Sequence, residues 1–535
     1  MPAREAPSPL PPVSTAVTTG ALAVTPHYLA TAAALEILAG GGNAADAAIA
    51  ANAVQGMVDP TTCGPGGDLF ALVHRPDGTA PEALNASGRA GSGLDAAALR
   101  AAGHSGIPLR SPAAVTAPGC VDGWLALGQR HGSRPLSALL APALRLGEAG
   151  FPVSADLAGA LERLHELLAG QPSTDELYPR GRPPRPGETL RRHRLAATLR
   201  ALASGGREAF YAGAVGAAIT AATGGILTPA DLAREHADWV EPIGIDVFSH
   251  RLWAVPPNSL GYLTGAAAWL LEQCAPPADP GSAAFHHAVL ECYRAVAGEG
   301  DRLVADPGHL PLPAERLLDP ERLRPLLRTI RPDGAARRPP AGAPPGGTAY
   351  LTVLDAAGMG VSLIQSNYTG IGSGLAAGGT GVWLQNRGGC FSLEPGHPNE
   401  AAPGKRPRHT LSPTLWTRDG RLSLLLGSRG GFQQPQYLLQ MAALLFVAGL
   451  DPAAAQAQPR WHIEAAAADG GSALVVESRM PEDLVAGLRR RGHSVTAGPA
   501  LAPGWGPVSV IAVAADGTRT GAADPRVATA RAAAH

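Results

Sequence analysis

Apolar positions at residues 31–57 recur at helical spacing. They predict a short helix over 31–38, stopped by Gly40, Gly41 and Gly42. A second helix follows, with Asn43 as its cap and Ala44, Ile49, Val54 and Met57 on its apolar face. A glycine-rich loop over 60–67 leads into an alternating strand at 69–74. Helical spacing then dominates from Val121 to about Ala203, broken by a Pro/Arg/Gly-rich loop near 170–187. A strand-like stretch at 251–255 and a helix over 283–296 complete this half.

After Thr348 the period changes to two. The run TAYLTVLD, a turn near Ala357-Gly358 and the run GVSLIQS predict a β-hairpin. Further strands are expected at 421–426, 473–477 and 508–514, with helices at 435–448 and 481–491. Strand layers with helices outside them predict an α+β fold, two sheets face to face and covered on both sides. Between the two patterns lies RPDGAARRPPAGAPPGG, residues 331–347. Its proline and glycine disfavour helix and sheet, and it has almost no apolar mass to bury, so it reads as a linker.

Composition narrows the function classes. A net charge of −1 over 535 residues gives no general attraction to nucleic acid or to an anionic membrane. The five cysteines are scattered, odd in number and never spaced CxxC, which argues against a disulfide framework or a structural zinc site. His287 and Glu291 are four apart on a predicted helix beside His286, but no second ligand cluster accompanies them. No basic-then-apolar leader and no long apolar run are visible, so a cytoplasmic, non-membrane protein is expected.

The chemistry concentrates at a threonine that opens a strand behind a glycine-ended linker. A threonine hydroxyl becomes a useful nucleophile when a base lies beside it, and its own α-amine is such a base once the preceding peptide bond is cut. Gly347 offers no side chain to obstruct attack on its carbonyl.

Motifs along nearly the whole chain resemble the gamma-glutamyltransferase family. They are GGGNAADAAIAANAV and DPTTCGPGGDLFALV at 40–54 and 59–73, VTAPGCVDGW at 115–124, and LLAPALRLGEAGFPVS at 139–154. In the second half they are GTAYLTVLDAAGMGVSLIQSNYTGIGSGL at 347–375, PGKRPRHTLSPTL at 403–415 and LLLGSRGG at 424–431. The resemblance implies the four-layer αββα sandwich of N-terminal-nucleophile hydrolases. It also implies scission between Gly347 and Thr348 into a large chain, 1–347, and a small chain, 348–535, that stay together as one globular unit. Thr348 falls on the nucleophile, Ser366 on a hydroxyl that supports its amine, and Gly430 and Gly431 on the oxyanion-hole pair. The substrate would be a small amide or peptide-like molecule, and no cofactor or metal is implied.

The pocket that holds a glutamyl group in typical members is altered. Cys390 stands where an acid contacts the α-amine, and Arg387 where Gln or Glu is usual. His409-Thr410 replaces a Ser-Ser pair, and Tyr368 replaces an Asn, with Asn367 beside it. Arg89 stands near the usual Arg-Glu dipeptide. A buried ammonium needs an anionic or carbonyl partner, so Arg89, Arg387 and His409 together point to an anionic acyl group without an α-ammonium. An oxalyl, α-keto or dicarboxylic acyl chain would fit. The resemblance implies first a self-processing amidohydrolase or acyltransferase of the glutathione-hydrolase type; hydrolysis of such another acyl group, C–C hydrolysis in a natural-product pathway and a non-maturing scaffold or binding protein stand as the alternatives.

Overall fold

The computed structural model describes residues 11–336, 347–464 and 473–535. Most of the expected linker, residues 337–346, lies outside the described residues.

Two seven-stranded antiparallel sheets face each other. In the first, Gly347–Leu354 and Gly360–Tyr368 are central, flanked by Leu22–Thr25 on one side and Asp68–His74 on the other. In the second, Arg421–Ser428 is central, between Val508–Val513 and Thr414–Arg418. The period-two pattern sorts side chains into layers. Leu351 and Val353 point into a core made with the helices Tyr28–Ala39 and Ala44–Val58, while Tyr350 and Leu354 point between the sheets. Across the gap, Leu425 joins the inter-sheet core, whereas Leu424 and Leu426 meet a second helical layer that includes Tyr262–Cys274 and Ala283–Ala297. Alternation thus produces three cores and the αββα order. Each fully buried Leu or Val contributes roughly 1.5–3 kcal/mol.

The expected hairpin, the 473–477 strand and the capped second helix are present. Asn43 accepts from the Ala45 and Asp46 N–H groups, and Asp46 accepts from the Asn43 N–H in return. The Ala44 N–H donates to Asp355 at 3.0 Å, tying this helix to the hairpin turn. The expected 435–448 helix is α-helical only over Gln434–Ala442 and widens into a π turn over Ala443–Val447. Strand Arg531–Ala534 pairs with Leu22–Thr25, joining the two ends of the chain. Among the described residues no helix is long and apolar enough to cross a membrane.

Register orients the sandwich. Ser366 lies opposite Asp68 and Gly360 opposite His74, so Thr348 and Asp68 share one end of the first sheet.

Candidate active site

Thr348 is the second residue of its strand and is buried. Gly347 pairs with Tyr368 and Ala349 with Gln365, so the partner strand carries one extra residue, a β-bulge at Ser366-Asn367. The bulge turns the Ser366 side chain toward the strand opening. Thr348 Oγ1 donates to Ser366 Oγ at 3.2 Å, and Ser366 Oγ donates to the Gly347 carbonyl at 2.6 Å. The Tyr368 N–H donates to Ser366 Oγ at 2.7 Å and fixes its lone pairs. The hydroxyl of the expected nucleophile is therefore joined through a second hydroxyl to the carbonyl of the expected scission site.

The facing sheet brings its glycines to the same end. A Cβ on Gly427 would stand 2.2 Å from the Tyr350 ring, so glycine lets the two sheets close together next to the strand of Thr348. The strand then ends in Gly430 and Gly431, with φ of 131° and 59°, a backbone that other residues adopt with strain. Among the described residues neither glycine donates its N–H to an acceptor. Thr348, Tyr350 and Arg429, the residue just before the pair, line one small cavity with Ser509 and Asp524.

Beside Ser366 runs a wall of altered pocket residues. Tyr368 takes a left-handed φ of 75°, and its ring lies 4.2 Å from the Arg387 guanidinium. Arg387 Nη1 donates to Thr410 Oγ1 at 2.9 Å and stands 3.8 Å from Cys390 Sγ. All four side chains are buried. The structure thus gathers Tyr368, Arg387, Cys390 and Thr410 into one cluster, which Tyr368 joins to the strand end that carries Gly347 and Ser366.

Two expected members are engaged elsewhere. Arg89 contacts Asp306 at 3.3 Å and Asp238 at 3.7 Å. These two carboxylates compensate its charge. His409 Nε2 meets Asp68 at 3.0 Å, and its Nδ1 accepts from the Leu411 N–H. Burial, followed by the neighbouring Arg387 charge, pushes its pKa down to about 3. His409 is therefore neutral near pH 7, and its Nε2 faces Asp68.

Sequence reasoning passed over Asp68. This buried carboxylate accepts from the Gly88 N–H at 2.8 Å, from the Gln385 amide at 2.9 Å and from His409. It fastens the loops that carry Arg89, Arg387 and His409 to one point. Its place directly after the glycine-rich GPGG loop was the available signal. The His286, His287 and Glu291 side chains are occupied in packing: His287 meets His493 at 2.8 Å, His286 meets Trp461, and Glu291 meets Arg294. A wider cavity of about 630 Å³ opens at the opposite end of the sheets, near Gly78, Trp253 and Asp419. It contains none of the residues described above.

Comparison with known proteins agrees with this geometry. The sequence profile of the gamma-glutamyltranspeptidase family matches residues 30–534. The glutathione hydrolase-like YwrD proenzyme of Bacillus subtilis is 36% identical over 94% of this chain and 97% of that protein. The oxamate amidohydrolase proenzyme of Klebsiella pneumoniae is 36% identical over 96% and 98%. Among solved structures, a cephalosporin acylase from Bacillus halodurans superposes with a TM-score of 0.91 at 34% identity, covering 100% of this chain and 99% of that one.

Proposed function

The chain belongs to the gamma-glutamyltranspeptidase family and is an enzyme of the hydrolase class, and from that premise we propose that it is a proenzyme whose Thr348 first cuts the chain and then hydrolyses amides. The observation that carries the reading is the hydroxyl chain from Thr348 through Ser366 to the Gly347 carbonyl.

In the uncut chain Thr348 Oγ attacks the Gly347 carbonyl carbon. Its proton passes to Ser366 Oγ as the Ser366 proton passes to the carbonyl oxygen, so no charge is left unbalanced. Collapse breaks the Gly347–Thr348 C–N bond and leaves an ester, and water hydrolyses the ester to the Gly347 carboxylate and a free Thr348 amine. The products are chains 1–347 and 348–535, interleaved as neighbouring strands of the first sheet.

In the mature enzyme that amine is the base. It takes the Thr348 hydroxyl proton while Oγ attacks a substrate amide, and it returns the proton to the leaving amine. The Gly430 and Gly431 N–H groups stabilise the tetrahedral oxyanion, a contribution of about 3–4 kcal/mol per donor in comparable sites. Water then releases the acyl group. Tyr368, Arg387, Cys390 and Thr410 hold the acyl half of the substrate. Relatives named for oxamate and for cephalosporins support an acyl group other than gamma-glutamyl, beside an equally similar relative named for glutathione.

The test is the mass of the purified protein beside Thr348→Ala. Fragments of 347 and 188 residues in the wild type alone are expected. A single uncut chain in both samples would overturn the reading in favour of a binding or scaffold role.

A further inference from the structure

Arg387 is fully buried, yet no carboxylate pairs with it among the described residues. Its Nη1 is used by Thr410 and Cys390, while its Nε and Nη2 have no hydrogen-bond partner. These two are not an arbitrary pair. In a guanidinium the Nε–H and one Nη2–H lie parallel along one edge, spaced to meet both oxygens of a carboxylate. The same molecule uses that edge elsewhere: Arg526 holds Glu477 through Nε at 3.0 Å and Nη2 at 2.7 Å. Arg207 holds Asp122 in the same way, at 2.9 and 3.1 Å. An uncompensated buried guanidinium is costly, so one that persists with this edge buried and unpartnered is arranged for an anion that is not part of the chain.

The neighbours sharpen the choice. Tyr368 covers one face of the guanidinium, leaving the edge rather than the face for recognition. His409 is occupied by Asp68, and Arg89 by Asp306 and Asp238. Of the three cations the sequence singled out, Arg387 is the one without a carboxylate partner among the described residues, and the gathered wall of Tyr368, Cys390 and Thr410 offers no carboxylate for an ammonium group.

We propose that the Nε–Nη2 edge of Arg387 recognises a carboxylate carried by the acyl half of the substrate, so that the enzyme prefers amides of short dicarboxylic acids lacking an α-ammonium. This rests on the amidohydrolase reading above.

The experiment compares oxalyl, succinyl, glutaryl and adipoyl p-nitroanilides with their carboxamide-capped counterparts and with gamma-glutamyl p-nitroanilide. Chain masses are checked in every sample. For the best acid, kcat/KM is expected to exceed that of its carboxamide by about 100-fold or more, and gamma-glutamyl to be at least about tenfold poorer. Arg387→Met should bring the acid-to-carboxamide ratio near one. Arg387→Lys keeps the charge without the fork and should give a ratio in between, and it serves if the Met variant does not fold. Matured wild type that hydrolyses acid and carboxamide equally, or prefers gamma-glutamyl, overturns this proposal alone. Wild type that neither matures nor hydrolyses any anilide overturns the amidohydrolase reading and this proposal with it.

Discussion

Arg526 and Arg387 are both sealed from solvent, but their surroundings differ in kind. Arg526 sits in a closed network. Glu477 takes its Nε and Nη2, Asp524 contacts its Nη1 at 3.2 Å, and Asp524 also holds Arg460 at 2.7 Å. The Gln456 and Gln458 carbonyls accept its remaining N–H groups. Arg387 has one hydroxyl, one thiol and one aromatic face, and an open edge. The first arrangement fastens the C-terminal strands to the second helical layer. The second is the arrangement of a site that waits for its counter-ion.

The largest difference is expected on breaking the closed network. Arg526→Met leaves Glu477 and Asp524 buried with one partner fewer, and removing one member of a buried ion pair costs about 3–5 kcal/mol. Urea unfolding would measure it. A loss below about 1 kcal/mol would mean that the network is not a stabilising closed pair, and the contrast with Arg387 would fail.

Much of this contrast was hidden in the sequence. The nucleophile hairpin was legible because both strands alternate strictly and the turn is short. The edge strands Ser14–Thr18 and Arg531–Ala534 were not, because they are short or alanine-rich and are set by partners some 500 residues away. Thr348, Ser366 and the two glycines were singled out by motif position. The fate of the cations did not. Arg89 and Arg387 look alike in sequence, and only the fold puts Asp306 and Asp238 beside one and none beside the other. The pairing of His409 was hidden for the same reason: Asp68, its partner, lies 341 residues away.

A second, intermediate effect separates the two regions by pH. The folded-state pKa of His409 is lowered from 6.5 to about 3. The unfolded chain therefore binds a proton that the folded chain does not, and stability falls as pH drops from 6.5 towards 3. By linkage this is about 2 kcal/mol at about pH 5. Glu477 and Asp524 are shifted down as well, burial being outweighed by Arg526 and Arg460, so the sign is the same and only the window is more acidic. Their stabilisation is complete above the ordinary carboxylate pKa and is lost only as pH falls through their lowered values. Unfolding free energies at about pH 7 and about pH 5, in wild type and His409→Gln, measure the difference. The wild type should lose about 2 kcal/mol more than the variant over this interval. Equal losses would mean that His409 is not held away from water beside the Arg387 charge, the two causes of its lowered pKa.

The smallest effect is the most diagnostic. If the open edge of Arg387 is kept for a ligand, the empty protein gains little from that side chain. Arg387→Met removes a buried charge without orphaning any carboxylate, and leaves only the Thr410 hydroxyl and the Cys390 thiol without a neighbour. The unfolding free energy should therefore fall by less than about 1 kcal/mol or rise, because the variant is relieved of an unpaired buried charge. This is a small fraction of the Arg526→Met cost, although both side chains are equally buried. Free glutarate should raise the unfolding midpoint of the wild type and leave the variant's unchanged, because only a ligand bound to the folded state stabilises it. A loss comparable to that of Arg526→Met would mean that Arg387 is a structural ion after all, and would remove the physical reason for assigning it a substrate carboxylate.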